Sequence, residues 1–400
     1  MDKNIKNVTV IGAGYVGLSL SLALSKYYDV TIIEIDSKKV DFINNKKSFL
    51  VDTQISNELQ RKNLRLKATS NKSNAIKSAD LIFCCLPTNF NEKSNSFNTK
   101  TIEDYARFIK KNNPNSLFII RSTVPIGFTE RINKKLSTNI VFIPEFLREG
   151  SALEDTWNPS RIVFGIPDNS ANSANNTVNA LKEVFTKISK NKRNSFLVVG
   201  PSEAEAIKLF SNTYLAMRIG FFNELDSFAM QNNLNTESII KGLSKDKRIG
   251  NFYNNPSFGF GGYCLPKDTK QTVASLRNVP SQLINSIDRS NTSRKKFLAN
   301  KIIRMKPRNI GIYRLNMKKD SDNFRDSASI DLIKNMKKMK KYIFIYEPLI
   351  KANTFEGFAV EHNLDNFLMN SDIIVANRVD SVISNFKSKV FTRDIFNTDK

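Results

Sequence analysis

The 400-residue chain is poor in the groups that many enzymes use: one histidine, three cysteines and one tryptophan. One histidine cannot build a multi-histidine zinc site or a histidine relay. His362, in VEHNL with no motif around it, reads as a surface residue rather than the centre of a Ser-His-Asp triad. Acid–base work therefore falls to Asp, Glu, Lys, Cys or water, and no metal is expected. Two of the cysteines are adjacent (Cys84, Cys85) and Cys264 stands alone, so no disulfide framework is available, as in a reducing cytoplasm. No apolar run approaches the roughly 18 residues of a membrane span. The sequence MDKNIKNVTVIGAG enters a strand-like run after seven residues, which predicts no cleaved signal peptide.

What is abundant is positive charge. Lys and Arg number 61 against 38 Asp and Glu, a formal net of +23, in a chain that is 40% hydrophobic and 25% charged. This composition is that of a soluble globular protein of two or three domains. The surplus is concentrated: Arg289 to Lys341 holds 17 basic residues against four aspartates, 17 − 4 = +13. Such a block suits nucleic acid, an anionic surface or phosphorylated small molecules, and equally a solvated face in a Lys-rich chain.

Strand and helix signals alternate from the start. NVTVIGAG reads as a buried strand, YVGLSLSLALSKYY as a helix and DVTIIEID as a second strand. Further strands follow in ADLIFCCLPT, SLFIIRSTVP, NIVFIPEF, RIVFGI and NSFLVVG, with a helix in NSANNTVNALKEVFTKI. Continuous β-branched runs separated by helices predict a parallel sheet covered on both faces. A long helix is expected from Pro201 to about Asn233, with Ser202 and Glu205 at capping-box spacing. Its apolar residues lie on several sides, which predicts burial between domains or against another subunit. GNFYNNPSFGFGGYCLPKD carries too many breakers for a regular element. The tail is again α/β: RNIGIYRL, SASIDLIKNMKKMK, KYIFIYEP and SDIIVANR. The fold class is thus α/β, two doubly wound domains joined by a helical middle.

Gly12, Gly14 and Gly17 form G-x-G-x-x-G directly after a strand and at the opening of a helix, with Glu34 ending the next strand. Glycines there permit the tight turn, the approach of a pyrophosphate and close helix–strand packing, and the helix head faces the phosphates. A carboxylate at Glu34 suits the ribose hydroxyls of NAD and repels the extra phosphate of NADP. Glu34 fits this position better than Asp36, two residues further on. Cys264 lies in a glycine-rich loop next to Lys267 and Asp268; its spacing leaves a nucleophile and an unreactive loop thiol both open. Lys208 and Asn212 share a helix face, as a buried polar pair or as an interhelical contact. Glu145 and Glu149 follow a strand in PEFLRE, at the sheet edge where such folds bind ligands, or as surface charges.

Together GAGYVGLSL, LPTNFN, RSTVPIGF, IPEFLREGSAL, SEAEAIKLFSNTYLAMRIGFFNELD, DKRIG, YNNPSFGFGGYCLPKDTKQ and YRLNMKKDSDNFRDS resemble, over nearly the whole chain, the UDP-glucose/GDP-mannose dehydrogenase family. SFGFGGYCLPKDT looks like the UDP-glucose branch more than the GDP-mannose or N-acetylated-sugar branches. The resemblance implies an NAD-binding Rossmann-like domain (1–200), a central helical dimerisation and catalytic-cysteine region (201–300) and a C-terminal Rossmann-like UDP-sugar-binding domain (301–400). It implies a four-electron oxidation of UDP-glucose to UDP-glucuronate with two NAD+, through a thiohemiacetal and a thioester on Cys264. By motif position, Lys208 would stabilise the oxyanion beside Asn212, Asp268 with Thr123 would position a water, and Glu149, near Glu145, would assist hydrolysis.

For NAD the carry-over gives Gly12, Gly14, Tyr15, Val16, Gly17, Glu34, Lys39, Thr88, Thr123, Glu149, Lys267 and Arg325. For the nucleotide sugar it gives Glu145, Phe146, Leu147, Lys208, Asn212, Tyr253, Asn255, Gly261 and Lys318. Arg248 would reach a neighbouring subunit's substrate, which implies a homodimer built on the long helix. Glu34 stands where the family usually has Asp, and FCCLPT carries cysteines where smaller or aliphatic residues are usual. The rival readings are the same chemistry on UDP-galactose or a UDP-N-acetylhexosamine, a non-catalytic nucleotide-sugar sensor, or a nucleic-acid binder. Intact Cys264, Lys208 and Asp268 weigh against the sensor, and no nucleic-acid partner is expected.

Overall fold

The computed structural model describes residues 5–167, 171–191, 194–315, 327–337 and 342–397, with side chains from 174 onward in the second segment. The chain divides into two compact units, Met1–Phe210 and Ser211–Lys400.

In the N-terminal unit, β1 (Asn7–Ile11), β2 (Asp29–Ile33), β3 (Leu66–Thr69) and β4 (Leu81–Cys84) are followed by a small hairpin, β5 (Phe90–Asn91) with β6 (Ser96–Phe97). Then come β7 (Leu117–Ile120), β8 (Val141–Phe142), β9 (Ile162–Gly165) and β10 (Phe196–Val199). The large sheet has the order β10-β9-β8-β7-β4-β1-β2-β3. Val8 stands level with Val30 on one side and Leu81 on the other, both in parallel. Apolar side chains alternate to two cores: Val10, Ile32 and Phe164 on one face, Ile11, Ile82 and Phe142 on the other. That is why these strands read as unbroken apolar runs.

The sheet departs from the expected all-parallel arrangement at one place, where β8 and β9 pair antiparallel. Their connection carries only the six-residue helix Ala152–Trp157. At about 9 Å it falls short of the crossover helix that returns a strand in parallel.

The helices that position the site are α1 (Tyr15–Leu24), α2 (Phe128–Leu136), α3 (Pro201–Gln231), α4 (Cys264–Ser275) and α5 (Gln282–Arg304). The chain passes from one unit to the other inside α3. Its start differs from the capping-box expectation. Pro201 is the first helical residue, and a Cβ on Gly200 would collide with the Glu203 carboxylate. Glu203 is thus the residue that folds back over the helix entry, while Glu205 faces another element. The breaker-rich stretch is also shorter than expected, because α4 begins at Cys264. Pro266 is tolerated there, since the first turn of a helix has no intrahelical use for its N–H groups.

The C-terminal unit holds β11 (Asn309–Tyr313), β12 (Tyr342–Tyr346), β13 (Thr354–Phe355), β14 (Phe358–Val360), β15 (Ile373–Ala376) and β16 (Val390–Phe391). Their order is β13-β14-β12-β11-β15-β16, parallel except for the β13/β14 hairpin. Ile310, Ile312, Ile345 and Val375 face one core, and Phe344, Ile374 and Phe367 the other. Both units are therefore doubly wound. His362 is exposed, with Nε2 3.3 Å from Asn353 Oδ1. Among the described residues, no helix is long and apolar enough to cross a membrane, and no group of acidic, Cys or His side chains could hold a metal ion.

Candidate active site

The glycine turn joins β1 to α1. Gly12 has φ +97°, and a Cβ there would lie 2.9 Å from the Cys85 carbonyl; a Cβ on Gly17 would collide with the Gly12 carbonyl. At Gly14, the N-cap residue of α1, a Cβ would meet nothing within 4 Å. The first turn of α1 has neither a side-chain cap nor an acidic residue, so the positive end of its dipole faces an anion without a competing carboxylate. Glu34, at the end of β2, accepts the Ala13 N–H at 3.1 Å through Oε2, and the Ile35 and Asp36 N–H groups through Oε1. Asp36 instead caps the helix Ser37–Asn44 through the Lys38 N–H. Tyr15 and Val16 open α1, and the Lys39 amine lies 5.4 Å from the Phe49 ring. The crowded glycines, the open one and the uncapped helix head together fit a dinucleotide pyrophosphate. Cys85 packs beneath this turn and Cys84 lies in the core on the other face of the sheet; burial pushes the Cys84 thiol up to about 11 and the Cys85 thiol up to about 12, which keeps them inert.

At the carboxyl edge of β8, buried Lys208 donates from Nζ to the Glu145 carbonyl at 2.7 Å and to Glu145 Oε1 at 2.9 Å. The other carboxylate oxygen accepts the Leu147 N–H at 2.8 Å. Burial opposes a charged Glu145, but the Lys208 amine and the Leu147 N–H prevail and hold its carboxyl below the usual range. Phe146 lies between the Lys208 amine, 5.5 Å from its ring, and the Arg161 guanidinium at 3.8 Å. Glu149 is half-buried.

Thr88 and Thr123 are brought together: the Thr88 hydroxyl donates to the Thr123 carbonyl at 2.7 Å, and both residues are buried. The turn after Thr123 is anchored by a residue that local sequence reasoning misassigned. Glu205, fully buried, accepts the Gly127 N–H at 2.6 Å and the Thr129 N–H at 2.8 Å, at the head of α2. Burial pushes its carboxyl up to about 7. Its partners lie 78 and 76 residues away, so no local spacing signals them.

In the C-terminal unit, Cys264 is the first residue of α4 and partly exposed, at the positive end of the helix dipole, which favours a negative sulfur. Asp268, one turn on and fully buried, accepts Asn212 Nδ2 at 2.5 Å and Lys267 Nζ at 2.6 Å on its two oxygens. Each Asp268 oxygen thus accepts one hydrogen bond within the Asn212–Asp268–Lys267 cluster. Tyr253 adopts φ +47° and is exposed, and Gly261 is half-buried. Asn255 is buried, with Nδ2 donating to Asp394 at 2.6 Å. Arg248 is almost fully exposed and forms an ion pair with Asp246 at 2.6 Å. Lys318 and Arg325 lie outside the described residues.

A doubly wound unit with this glycine turn, open helix head and strand-end carboxylate defines an NAD-dependent oxidoreductase. Sequence models of the UDP-glucose/GDP-mannose dehydrogenase family match the chain in three consecutive parts. They are the NAD binding domain over residues 6–189, the central domain over 202–293 and the UDP binding domain over 311–398. The chain belongs to the UDP-glucose/GDP-mannose dehydrogenase family.

A UDP-glucose 6-dehydrogenase of Campylobacter jejuni subsp. jejuni serotype O:2 is 46% identical over 397 residues, covering 98% of this chain and 99% of the relative. One from Streptococcus pneumoniae is 41% identical over 390 residues, covering 97% and 99%. The solved UDP-glucose dehydrogenase from the hyperthermophilic archaeon Pyrobaculum islandicum shares the fold with a TM-score of 0.86 at 22% identity, covering 99% of this chain and 96% of that one.

Proposed function

We propose that this chain oxidises UDP-glucose to UDP-glucuronate with two NAD+ per sugar, as a cytoplasmic homodimer that supplies a capsule or other surface polysaccharide. The reading rests above all on SFGFGGYCLPKD standing intact, with Cys264 at the head of α4 and Asp268 one turn behind it. The names of the Campylobacter and Streptococcus relatives support UDP-glucose as the sugar nucleotide. The functional division is 1–200 for NAD, 201–300 for dimerisation and the nucleophile, and 301–400 for the UDP-sugar.

When bound, NAD supplies the hydride acceptor for both oxidations. The residues of this chain handle everything else. Lys208, with Asn212 one turn along α3, holds the oxygen on the sugar's C6 as negative charge develops on it. The first oxidation leaves an aldehyde at C6. The Cys264 sulfur adds to that carbon, the carbonyl electron pair moves to oxygen, and a thiohemiacetal forms. Loss of a second hydride from the same carbon gives the thioester.

Asp268 and Thr123 position a water that takes up the proton released at the C6 oxygen in each oxidation. Glu149, near Glu145, assists thioester hydrolysis by accepting a proton from the water that attacks it. Collapse expels the Cys264 thiolate and frees the carboxylate. The covalent bond retains the intermediate between the two oxidations, so no histidine is needed. Tyr253, Asn255, Gly261, Lys318 and the Glu145–Leu147 backbone serve the nucleotide sugar, and Lys39, Thr88, Lys267 and Arg325 serve NAD.

Support for the homodimer comes from α3, where Tyr214, Phe221 and Phe228 recur every seven residues and are 53%, 59% and 60% exposed. A second copy that covers this stripe would leave the exposed Arg248 available to its neighbour's substrate.

The test is NADH production across a panel of UDP-glucose, UDP-galactose, UDP-N-acetylglucosamine and UDP-N-acetylgalactosamine. UDP-glucose is expected to give the highest kcat/KM; a higher value for another sugar would overturn the substrate assignment.

A further inference from the structure

The loop that leads into Cys264 is held from an unexpected direction. Ser257, seven residues before the cysteine, is buried. Its N–H donates to Asn223 Oδ1 at 2.8 Å, and its carbonyl accepts Arg294 Nε at 3.2 Å and Nη2 at 3.1 Å. Phe260 is gripped on both sides by Asn291 of α5, at 2.9 and 2.8 Å. Between them, Gly259 has φ +154°, and a Cβ there would lie 2.6 Å from the Asn291 amide oxygen.

Arg294 does not act alone. Its Nη2 also donates to Asp226 Oδ2 at 2.5 Å, and Asp226 is fully buried in α3. The same carboxylate takes two bonds from Arg393, near the end of the chain, with Nε at 2.9 Å, and one from the Thr236 hydroxyl at 2.8 Å. Burial alone would disfavour the charged carboxylate, but the two guanidiniums outweigh it and hold Asp226 below its usual range. One residue further on, Asp394 accepts Asn255 Nδ2 at 2.6 Å, and the Ile395 and Phe396 N–H groups donate to Asn255 Oδ1 at 3.0 and 3.3 Å. Phe391 stacks on Phe258 with ring centroids 6.2 Å apart. A continuous run of hydrogen bonds therefore leads from Arg393 through Asp226 and Arg294 to Ser257, and a second from Asp394 to Asn255.

We propose that Arg393 and Asp394 are positioning residues for the Cys264 nucleophile: the C-terminal segment Thr392–Asn397 sets the loop from which the cysteine acts. This inference rests on Cys264 being the nucleophile. The Arg393 and Asp394 contacts are charge-assisted and multiply bonded, and their partners Asp226 and Asn255 are buried, the kind of contact that fixes geometry rather than decorating a surface. Asp226 keeps Arg294 and Thr236 when Arg393 is removed, so an Arg393 variant is expected to fold.

The test compares Arg393→Met, Arg393→Lys, Asp394→Asn and Cys264→Ser in the full chain. The readouts are thermal midpoint, kcat, KM for each substrate and the rate of Cys264 alkylation by iodoacetamide. Arg393→Met is expected to lower kcat at least tenfold, raise KM for UDP-glucose severalfold, leave KM for NAD+ unchanged and alter the alkylation rate. Arg393→Lys is expected to recover part of each change, and Asp394→Asn, which keeps an acceptor for Asn255, to show a smaller loss. A purely structural segment would lower the thermal midpoint and leave kcat, both KM values and alkylation as in the parent, which would overturn the proposal. Full turnover in Cys264→Ser would instead sink the nucleophile assignment, whatever Arg393 does.

Discussion

The Lys208 amine meets Glu145 twice, at the backbone carbonyl and at the carboxylate, with both residues out of solvent. A buried pair of this kind fixes the cation where charge develops and penalises loss of either partner. Lys208→Met is predicted to lower kcat by roughly 10²–10³, the usual effect of removing one oxyanion donor. It also takes from buried Glu145 its hydrogen-bonded cation, leaving Arg121 as the remaining one, at a cost of about 3–5 kcal/mol at most and on the order of 10 °C in melting temperature. NADH assays with parallel thermal melts check both effects. Parent-like kcat in this variant would remove Lys208 from the mechanism.

Cys264→Ser is predicted to fold like the parent, because the side chain is partly exposed and the change is nearly isosteric. Sustained turnover should fall by at least about 10³, since a hydroxyl is a far weaker nucleophile than a thiolate. Cys84 and Cys85 cannot substitute, being buried and protonated. Steady-state NADH formation under saturating substrates is the measurement.

Glu205 gives a pH prediction. Its carboxyl is raised from 4.5 to about 7 in the folded state. The folded chain therefore holds a proton that the unfolded chain releases between these values. The corresponding stability is present below about pH 4.5 and is lost as pH rises through about 7, on the order of 3 kcal/mol from this group. Glu205→Gln removes the titration, so its melting temperature should vary less between pH 4.5 and 7 than the parent's. Identical slopes in the two proteins would contradict this.

The aromatic stripe on α3 predicts assembly. Phe221→Glu places a charge in the middle of the Tyr214–Phe228 stripe and is expected to convert the proposed homodimer to monomer in sedimentation velocity. A dimer of unchanged affinity would move the interface elsewhere.

Much of the candidate site's local geometry was legible because its signals are local. The G-x-G-x-x-G turn, Glu34 at the end of β2 and the Lys208–Asn212 spacing all follow from neighbours in sequence. The features that escaped depend on distant partners. The capping-box reading of Ser202 and Glu205 failed because Glu205 serves the head of α2. The helix start at Cys264 was hidden by Pro266, a residue that breaks helices everywhere except in their first turn. The antiparallel β9 leaves no trace in its own sequence, because RIVFGI is as apolar as a parallel strand. Arg393 looked like one more cation in a chain with a surplus of 23, and only its pairing with Asp226 sets it apart.

The most direct test of the whole account is stoichiometry: NADH formed per UDP-glucose consumed, with UDP-glucuronate quantified in the same reaction. Two oxidations at one carbon, joined by a covalent link to Cys264, predict a ratio of about two with no free aldehyde accumulating. A ratio of about one, with an aldehyde as product, would contradict it.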